Sequence, residues 1–334
     1  MIISKTPLRL SFVGGGSDLP SYYRQAGGAV LSTSIDKFVY VTINTRFEPG
    51  IRLSYSKTEN VAHVDEIEHR LVKAALRKLG VAEGVEITSV ADIPSRGSGL
   101  GSSSAFTVGL LHAIHAYLGR YRSKVDLGAE ACAVELELCG EPIGKQDQYA
   151  AAVGGLNIIE FHPDDSVSVE PVVAPPGTVR RVEDELVMFY TGGVRSASAI
   201  LKQQAEDVGA DAAKRRALER MVELVYVLRG ELSSGNADAV GEILHENWLL
   251  KRSLTSGISS AEIDDIYDTA RRAGATGGKL LGAGGGGFMV FSVPEGRRQD
   301  VIAGLARLRH VPFRFDRAGA SIAFYQSGKP EAGA

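Results

Sequence analysis

The chain has 334 residues, of which 44% are hydrophobic and 23% are charged, and this ordinary globular composition leaves room for two domains. The formal net charge of -3 at pH 7 does not indicate the basic surface that is typical of nucleic-acid-binding proteins, so no nucleic-acid partner is expected. No stretch approaches the roughly 20 apolar residues that span a bilayer, and residues 1–11 lack a charged-then-apolar leader. We therefore expect a cytoplasmic protein with no membrane partner.

The first half of the chain predicts an alternation of strands and helices. Apolar runs and strict apolar-polar alternation predict strands over 8–13, 38–45 and 85–90. Apolar residues at helical spacing predict helices over 64–75, 102–119 and 125–138.

Pro175, Pro176 and Gly177 form the clearest break in the chain, because two prolines and a glycine interrupt both periodicities. We expect an N-terminal domain over 1–175 and a C-terminal domain over 176–334. The elements predicted beyond the break are a strand (185–190), a helical region (196–253), a helix (261–273), a glycine-split hairpin (279–293), a helix (297–308) and two short strands. Together the elements indicate an α+β fold.

A glycine-rich turn precedes the predicted helix 102–119. Residues 94–105 read Pro-Ser-Arg-Gly-Ser-Gly-Leu-Gly-Ser-Ser-Ser-Ala. The first N–H groups of a helix have no intrahelical partner and lie at the positive end of its dipole, and glycines let a loop fold closely around an oxyanion. The turn therefore predicts a phosphate site. The alternative is a flexible connection in which Ser102 is an ordinary N-cap.

Two better-known phosphate loops do not fit the chain. No glycine is followed by Lys and then Ser or Thr, so the P-loop signature is absent from the sequence. Gly282, Gly284 and Gly287 match Gly-x-Gly-x-x-Gly, but the strand-like segment 288–293 follows them. The dinucleotide fingerprint requires a helix at that place, so this match is discounted.

Glu135 and Asp147 are candidate functional acids. On the predicted helix 125–138, Glu135 falls within the apolar arc formed by Leu127, Ala131, Val134 and Leu138. A carboxylate there is costly unless it is paired or ligates a metal. The alternative is a structural salt bridge. Asp147, in Gly-Lys-Gln-Asp-Gln, is either a helix N-terminal charge or a base beside a substrate hydroxyl, and periodicity does not decide between them.

Three separated blocks resemble the motifs of the small-molecule kinases grouped as galactokinase, homoserine kinase, mevalonate kinase and phosphomevalonate kinase, the GHMP kinases. The blocks are Thr-Pro-Leu-Arg-Leu-Ser-Phe-Val-Gly-Gly-Gly-Ser-Asp at 6–18, the turn 94–105, and Lys-Leu-Leu-Gly-Ala-Gly-Gly-Gly-Gly at 279–287. The resemblance implies an N-terminal domain like ribosomal protein S5 domain 2 and a ferredoxin-like C-terminal domain. It also implies ATP as co-substrate and Mg²⁺ as cofactor.

The resemblance implies roles for individual residues. Asp147 corresponds to the catalytic aspartate, and Arg9 to the basic residue that lies near that aspartate and the transferred phosphoryl group. Ser103 and Glu135 correspond to the Mg²⁺ ligands. Implied nucleotide-binding residues are Pro94, Gly97, Ser98, Gly99, Leu100, Gly101, Ser102, Ser103 and Ser104. Expected substrate-binding residues are Gly15, Gly16, Ser17, Asp18, Arg195, Lys279, Gly284 and Gly285.

Within the family, the opening block and Gly-Lys-Gln-Asp-Gln-Tyr look most like the branch of D-glycero-D-manno-heptose 7-phosphate kinases and fucokinases. Gly15 and Gly16 replace the Glu and His of galactokinases, which leaves room for a longer or phosphorylated sugar. We expect a kinase that acts on the anomeric hydroxyl of heptose 7-phosphate. The alternatives are a fucokinase-type or other sugar-1-kinase and a non-catalytic sugar- and nucleotide-binding regulator.

Arg195 and Lys279 are the candidate cations for the distal phosphate of the sugar, although either could instead form a surface ion pair. Each sits at a predicted loop or strand end beside a family motif. The sequence leaves both a monomer and a homodimer open.

Overall fold

A computed structural model of the chain describes residues 1–94, 97–193 and 197–326. Arg195, one of the two candidate cations, lies outside these described residues. The strands are β1 (Ile2–Val13), β2 (Gly28–Thr45), β3 (Ile51–Ser54), β4 (Thr58–Val61), β5 (Val85–Ala91), β6 (Leu156–Phe161), β7 (Val167–Pro171), β8 (Leu186–Gly192), β9 (Gly277–Leu280), β10 (Gly287–Ser292), β11 (Arg309–His310), β12 (Phe315–Asp316) and β13 (Ser321–Tyr325).

The helices lie between these strands and pack against them. They are α1 (Pro20–Ala26), α2 (Arg70–Leu79), α3 (Ser102–Tyr117), α4 (Lys124–Cys132), α5 (Gln146–Val153), α6 (Thr178–Glu185), α7 (Ala197–Ala210), α8 (Ala212–Ser233), α9 (Ala239–Ser253), α10 (Ala261–Arg272) and α11 (Arg298–Gly304).

The larger sheet is built around β2, whose 18 residues pair with several other strands. β1 pairs antiparallel along the length of β2, while β6 joins its first half and β5 its second half. The inward-facing residues are apolar and fully buried, as Leu8 opposite Ile35 illustrates. This long strand therefore ties β1, which leads into the Gly14–Gly16 loop, to the rest of the sheet.

Helix α3 is the central helix of the larger sheet and packs against both β1 and β2. Its apolar residues are buried nearly all round, including Val108, Leu111 and Ile114. Gly109 allows the close approach, because a Cβ there would lie 2.8 Å from Thr6 Oγ1. Ser4 Oγ fixes the contact by donating to the Gly109 carbonyl at 2.7 Å. The N-terminus of α3 is thereby held beside β1.

The smaller sheet is antiparallel, in the order β11-β8-β10-β9. Phe189, Met289 and Phe291 of this sheet pack with the fully buried Trp248 of α9 and with α10. Strands β9 and β10 are the predicted glycine-split hairpin, and residues 281–286 between them form its glycine loop.

Most predicted elements are present and the α+β class is confirmed, with two corrections to the helices. The helix predicted over 64–75 begins only at Arg70, and residues 64–66 form a short 3-10 turn. The helix predicted over 125–138 is α-helical to Cys132 and then π-helical over Ala133–Leu138. Because a π-turn holds more residues than an α-turn, Leu138 rotates off the apolar arc and is exposed.

The C-terminal strands also differ from expectation. Two short strands were expected there, and the structure has three. β11 joins the smaller sheet, whereas β12 pairs with β2 and β13 pairs with β1. The end of the described chain therefore completes the larger sheet. The domain boundary at 175/176 stays a prediction.

Candidate active site

A cavity of about 320 Å³ lies where the three sequence blocks meet. Its walls come from the end of β1, the glycine turn before α3, the π-helical segment, the start of α5, and helices α7 and α9. The lining residues that carry polar side chains are Arg9, Ser11, Asp18, Ser98, Ser102, Ser103, Ser104, Glu135, Glu141, Gln146, Asp147, Ser198, Lys251 and Lys279.

The glycine turn places the N-terminus of α3 at the wall of this cavity. Gly97, Gly99 and Gly101 all have φ between 68° and 74°, the left-handed region that favours glycine. Gly101 is the N-cap of α3 and no side chain caps the helix. Ser102 instead shares a hydrogen bond of 2.7 Å with Ser98. The interpretation of Ser102 as an ordinary N-cap is therefore wrong, and the uncapped N–H groups suit an anion.

The glycine turn contacts the glycine loop between β9 and β10 backbone to backbone. A Cβ at Gly282 would lie 2.5 Å from Gly99 Cα, and a Cβ at Gly287 would lie 2.6 Å from the Gly97 carbonyl oxygen. The second and third sequence blocks therefore meet directly. Ile258 fixes the other side of the β9–β10 loop by accepting from the Gly285 N–H at 3.0 Å.

Asp147 and Arg9 form a bidentate ion pair at the cavity wall. Arg9 Nε donates to Asp147 Oδ1 at 2.8 Å and Nη2 donates to Oδ2 at 2.9 Å. The third guanidinium nitrogen donates to the Gly99 carbonyl at 2.5 Å. The Arg9 side chain is buried, whereas Asp147 keeps 24% of its side-chain surface exposed to the cavity side. The pair fixes the carboxylate against the glycine turn while leaving it accessible.

Glu135 is buried in the π-helical segment with neutral partners. Its carboxylate accepts from Ser104 Oγ at 2.7 Å, from Thr107 Oγ1 at 2.8 Å and from the Gln148 amide. Burial raises the pKa of Glu135 to about 7, and these hydrogen bonds only partly offset that rise. A buried carboxylate without a cation among these partners suits a positively charged ligand.

The residues at this position fit a magnesium ion that is shared with a nucleotide. Glu135 and the exposed Ser103 hydroxyl both line the cavity, although the serine that contacts Glu135 is Ser104. The described residues contain no group of three or more His, Cys, Asp or Glu side chains arranged around a metal position. Mg²⁺ typically takes one or two protein ligands and completes its shell with phosphates and water, so a single carboxylate suffices.

Asp18 is a second carboxylate of the cavity and is tightly held. Its carboxylate accepts from the Gly16 N–H at 3.0 Å and from the Gln146 backbone and side-chain N–H groups at 3.2 Å. Burial raises the pKa of Asp18, and the nearby charge of Asp147 adds to the rise. Gly144 packs so closely on this carboxylate that a Cβ would overlap it.

The structure places several predicted site residues away from the cavity. Ser17 is buried and ties the loop together, donating to the Gly14 and Ala29 carbonyls at 2.8 and 3.0 Å. Leu100 is a core residue whose carbonyl accepts from the Arg9 N–H at 3.0 Å. Pro94 is exposed on the surface, and Gly284 and Gly285 contact Ile258.

Lys251 is a cavity residue that the sequence reasoning missed. It lies on α9, is only 5% exposed and lines the cavity. A local signal existed, because Leu244, Asn247, Trp248 and Lys251 repeat at helical spacing and all are buried. A lysine on an apolar helix face is as informative as the glutamate that was recognised. Ser11 and Gln146 line the cavity as well and were also missed.

Comparison with known proteins identifies the family. The profile of the GHMP kinases N terminal domain matches residues 67–155, and that of the GHMP kinases C terminal domain matches residues 228–308. A D-glycero-alpha-D-manno-heptose 7-phosphate kinase of Campylobacter jejuni is 30% identical over 92% of this chain and 93% of its own length. The chain belongs to the GHMP kinases. It is an ATP-dependent small-molecule kinase of the sugar-kinase type.

Two further relatives agree with this assignment. The crystal structure of a D-glycero-D-manno-heptose 1-phosphate kinase from Bacteroides thetaiotaomicron has a TM-score of 0.81 and 28% identity, and it covers 98% of this chain and all of the other. A bifunctional fucokinase/GDP-fucose pyrophosphorylase of Arabidopsis thaliana is 27% identical over 87% of this chain, which spans 30% of that protein. Within the described part of this kinase, no helix combines the length and apolar character that a membrane crossing requires.

Proposed function

We propose that this kinase transfers the γ-phosphoryl group of ATP to the anomeric hydroxyl of D-glycero-D-manno-heptose 7-phosphate and so forms the 1,7-bisphosphate. The observation that carries the choice of sugar is the near full-length similarity to the Campylobacter jejuni heptose 7-phosphate kinase. The name of the Bacteroides structure, a heptose 1-phosphate kinase, makes the site of phosphorylation the point to test. A fucokinase-type activity is the second candidate, because the Arabidopsis relative matches most of this chain.

Asp147 is proposed to accept or orient the proton of the sugar hydroxyl. Its bidentate contact with Arg9 fixes the carboxylate in one orientation before substrate binds. A base held within reach of the reacting oxygen contributes about 10²- to 10⁴-fold to rate. Asp18, which is held by three N–H donors, is proposed to accept a hydrogen bond from another sugar hydroxyl.

The glycine turn is proposed to hold the triphosphate. The uncapped N-terminus of α3 offers backbone N–H groups, and the hydroxyls of Ser102, Ser103 and Ser104 line the same wall. Arg9 brings a guanidinium to the junction of this wall with Asp147, where charge develops on the transferred group. Phosphoryl transfer here would depend on positioning and charge neutralisation.

Ser103 and Glu135 are the residues that would hold Mg²⁺. When bound, the ion supplies positive charge to the phosphate oxygens of the nucleotide. Glu135→Gln is expected to raise the Mg²⁺ concentration that gives half-maximal rate, because the amide carries no charge. The control is Glu137→Gln, an exposed neighbour on the same segment, which should leave the Mg²⁺ dependence unchanged.

The proposed substrate is tested by ATP turnover on heptose 7-phosphate, heptose 1-phosphate, fucose, galactose and mevalonate, with ³¹P NMR to locate the new phosphate. We expect the highest kcat/KM with heptose 7-phosphate and a new anomeric phosphate. A higher kcat/KM with fucose would replace the heptose assignment by the fucokinase-type activity. Turnover only of the 1-phosphate would place the reaction at the other end of the sugar.

A further inference from the structure

The cavity holds a buried cation that the proposed phosphoryl transfer does not use. Lys251 Nζ donates to Gln204 Oε1 at 2.7 Å and to the Gly15 carbonyl at 3.3 Å. Both acceptors are neutral, and the side chains of Lys251 and Gln204 are almost completely buried. A buried ammonium is costly unless an anion neutralises it. Burial accordingly lowers the pKa of Lys251 to about 8.

The other two cations that line the cavity, among the described residues, are already committed. Arg9 is paired with Asp147. Lys279 Nζ donates to the carbonyls of Ser11 and Phe12 at 2.8 and 3.1 Å, where it fixes the end of β1. Burial and the charges of Lys251 and Arg9 lower the pKa of Lys279 to about 7, so this amine is more readily neutral.

Lys251 and Asp18, the proposed sugar-binding acid, both contact the Gly15–Gly16 loop, since Lys251 donates to the Gly15 carbonyl and Asp18 accepts from the Gly16 N–H. The charge of Asp18 acts on Lys251, and the charge of Lys251 acts in turn on Lys279 in the same cavity. Lys251 Nζ also lies beside Gly16, 3.2 Å from where a Cβ of that residue would stand. Lys251 is therefore at the sugar end, next to the loop in which glycines replace larger side chains.

We propose that Lys251, positioned by Gln204, binds the phosphate of the sugar substrate that lies far from the reacting hydroxyl. This inference rests on the proposed function, since it requires a phosphorylated sugar. It gives Lys251 the role that the sequence had suggested for Arg195 or Lys279. Gln204 fits a positioning role, because its Oε1 accepts from Lys251 while its Nε2 lies buried against Gly16 without a hydrogen-bond partner.

The test compares kcat/KM for heptose 7-phosphate with kcat/KM for unphosphorylated heptose. Loss of one charge-assisted contact typically weakens binding about 10- to 150-fold. Lys251→Met should reduce the preference for the phosphorylated sugar by that factor, because kcat/KM should fall much more for heptose 7-phosphate than for plain heptose. Lys251→Arg should keep most of the preference. Arg252→Met is the matched control, because Arg252 is the next residue of α9 and pairs with Asp264 on the surface.

Gln204→Glu provides a second variant of nearly unchanged shape. Its carboxylate would pair with Lys251 and repel a phosphate, so the preference for the phosphorylated sugar should fall as in Lys251→Met. Thermal unfolding of each variant shows whether it is folded. The rise in unfolding temperature that heptose 7-phosphate alone causes, without ATP, measures sugar binding and does not depend on turnover.

The outcomes separate this inference from the proposed function. A wild-type enzyme without preference for the phosphorylated sugar would overturn both. A strong wild-type preference that survives in Lys251→Met and Gln204→Glu would overturn only the role of Lys251. Equal losses of kcat/KM on both sugars in Lys251→Met would also overturn the proposed role of Lys251, because they would show that Lys251 only maintains the conformation of the Gly15 loop. A preference lost in Lys279→Met but kept in Lys251→Met would assign the phosphate to Lys279.

Discussion

At the scale of single residues, Asp147 is oriented by Arg9 of the chain itself, so its effect on rate can be separated from its effect on binding. Asp147→Asn keeps the shape and an acceptor for Arg9 but removes the charge. We expect kcat to fall about 100-fold or more, the size expected for a general base. Affinities for the sugar and for a non-hydrolysable ATP analogue, measured by calorimetry, should stay within a few-fold.

Asp265→Asn is the control for this prediction, because it breaks an exposed ion pair with Arg307 far from the cavity. Near-normal turnover of Asp147→Asn would reduce Asp147 to a structural partner of Arg9.

Because burial raises the pKa of Glu135, we expect an unusual dependence of stability on pH in the protein without nucleotide or metal. Its pKa is raised from 4.5 to about 7 on folding, so its contribution to stability is complete below pH 4.5 and is lost as pH rises to about 7. This loss lowers the free energy of unfolding by about 3 kcal/mol. Relative to wild type, Glu135→Gln should therefore gain about that much in free energy of unfolding between pH 4.5 and pH 8.

Urea unfolding at pH 5, 6, 7 and 8 with a chelator present measures this difference. Parallel pH profiles for the two proteins would mean that the Glu135 carboxylate is neutralised by a partner in the folded chain. The test compares how the free energy of unfolding of each protein changes with pH. It does not compare their values at a single pH, because the glutamine also changes the hydrogen bonds from Ser104 and Thr107.

Through the motif blocks the sequence predicted that Arg9 lies near Asp147, and the structure adds the bidentate contact across 138 residues. Helical spacing alone placed Glu135 in the core. The same spacing puts Lys251 on the buried face of α9, but no motif surrounds that lysine. Only the contact of α9 with the Gly15 loop shows that this face lines the site.

At the scale of elements, the contact between the two glycine loops leaves no room for side chains. A Cβ at Gly99 would overlap the Leu281 carbonyl, in addition to the strain of φ 73°. Gly99→Ala should therefore destabilise the protein by several kcal/mol or move the glycine turn away from the β9–β10 loop, with a large loss of kcat/KM. Gly80→Ala is the matched control, since Gly80 has φ 76° and no atom within 4 Å of a Cβ.

The control should lose only about 1–2 kcal/mol, the usual cost of this conformation for a residue with a Cβ. Denaturant unfolding and ATP turnover of both variants measure the difference. Equal effects at Gly80 and Gly99 would show that backbone strain alone matters and that the two loops do not need their contact.

The helix that carries Glu135 shows where periodicity succeeds and where it fails. A rotation of about 100° per residue correctly places Leu127, Ala131, Val134 and Glu135 in the core. It fails at Leu138, because the π-turn over Ala133–Leu138 changes the rotation after the first residues. The apolar spacing of the sequence gives no sign of this π-turn, and the π-helical segment contacts α2 and α3, which come earlier in the chain.

At the scale of the whole molecule, the larger sheet needs residues from the other half of the chain. β12 and β13 pair with β2 and β1, and Leu224, Val225 and Leu228 of α8 pack into the same core. A fragment of residues 1–175 would lack these strands and expose that apolar surface. We therefore expect it not to fold alone, as NMR dispersion and circular dichroism would show, and to fold when co-expressed with residues 176–334.

A dispersed NMR spectrum and cooperative unfolding of the isolated fragment would contradict this and support an independent N-terminal domain. The full chain is the positive control. No helix or strand covers residues 172–177, where the sequence interrupts both periodicities, and the domain boundary there stays a prediction. The sequence contains no sign that the chain returns to the first sheet, because strand pairing over some 320 residues has no local signature.

The return of β13 to β1 also has a consequence for folding during protein synthesis. At about 5–20 residues per second, roughly 15 to 60 seconds separate the appearance of β1 from that of β13 on the ribosome. Throughout that interval β1 has an open edge, and unpaired strand edges are templates for aggregation. Lys5 on that strand is a charged residue of the kind that protects such edges. The nascent chain therefore keeps an aggregation-prone edge at β1 until β13 has been synthesised and pairs with it.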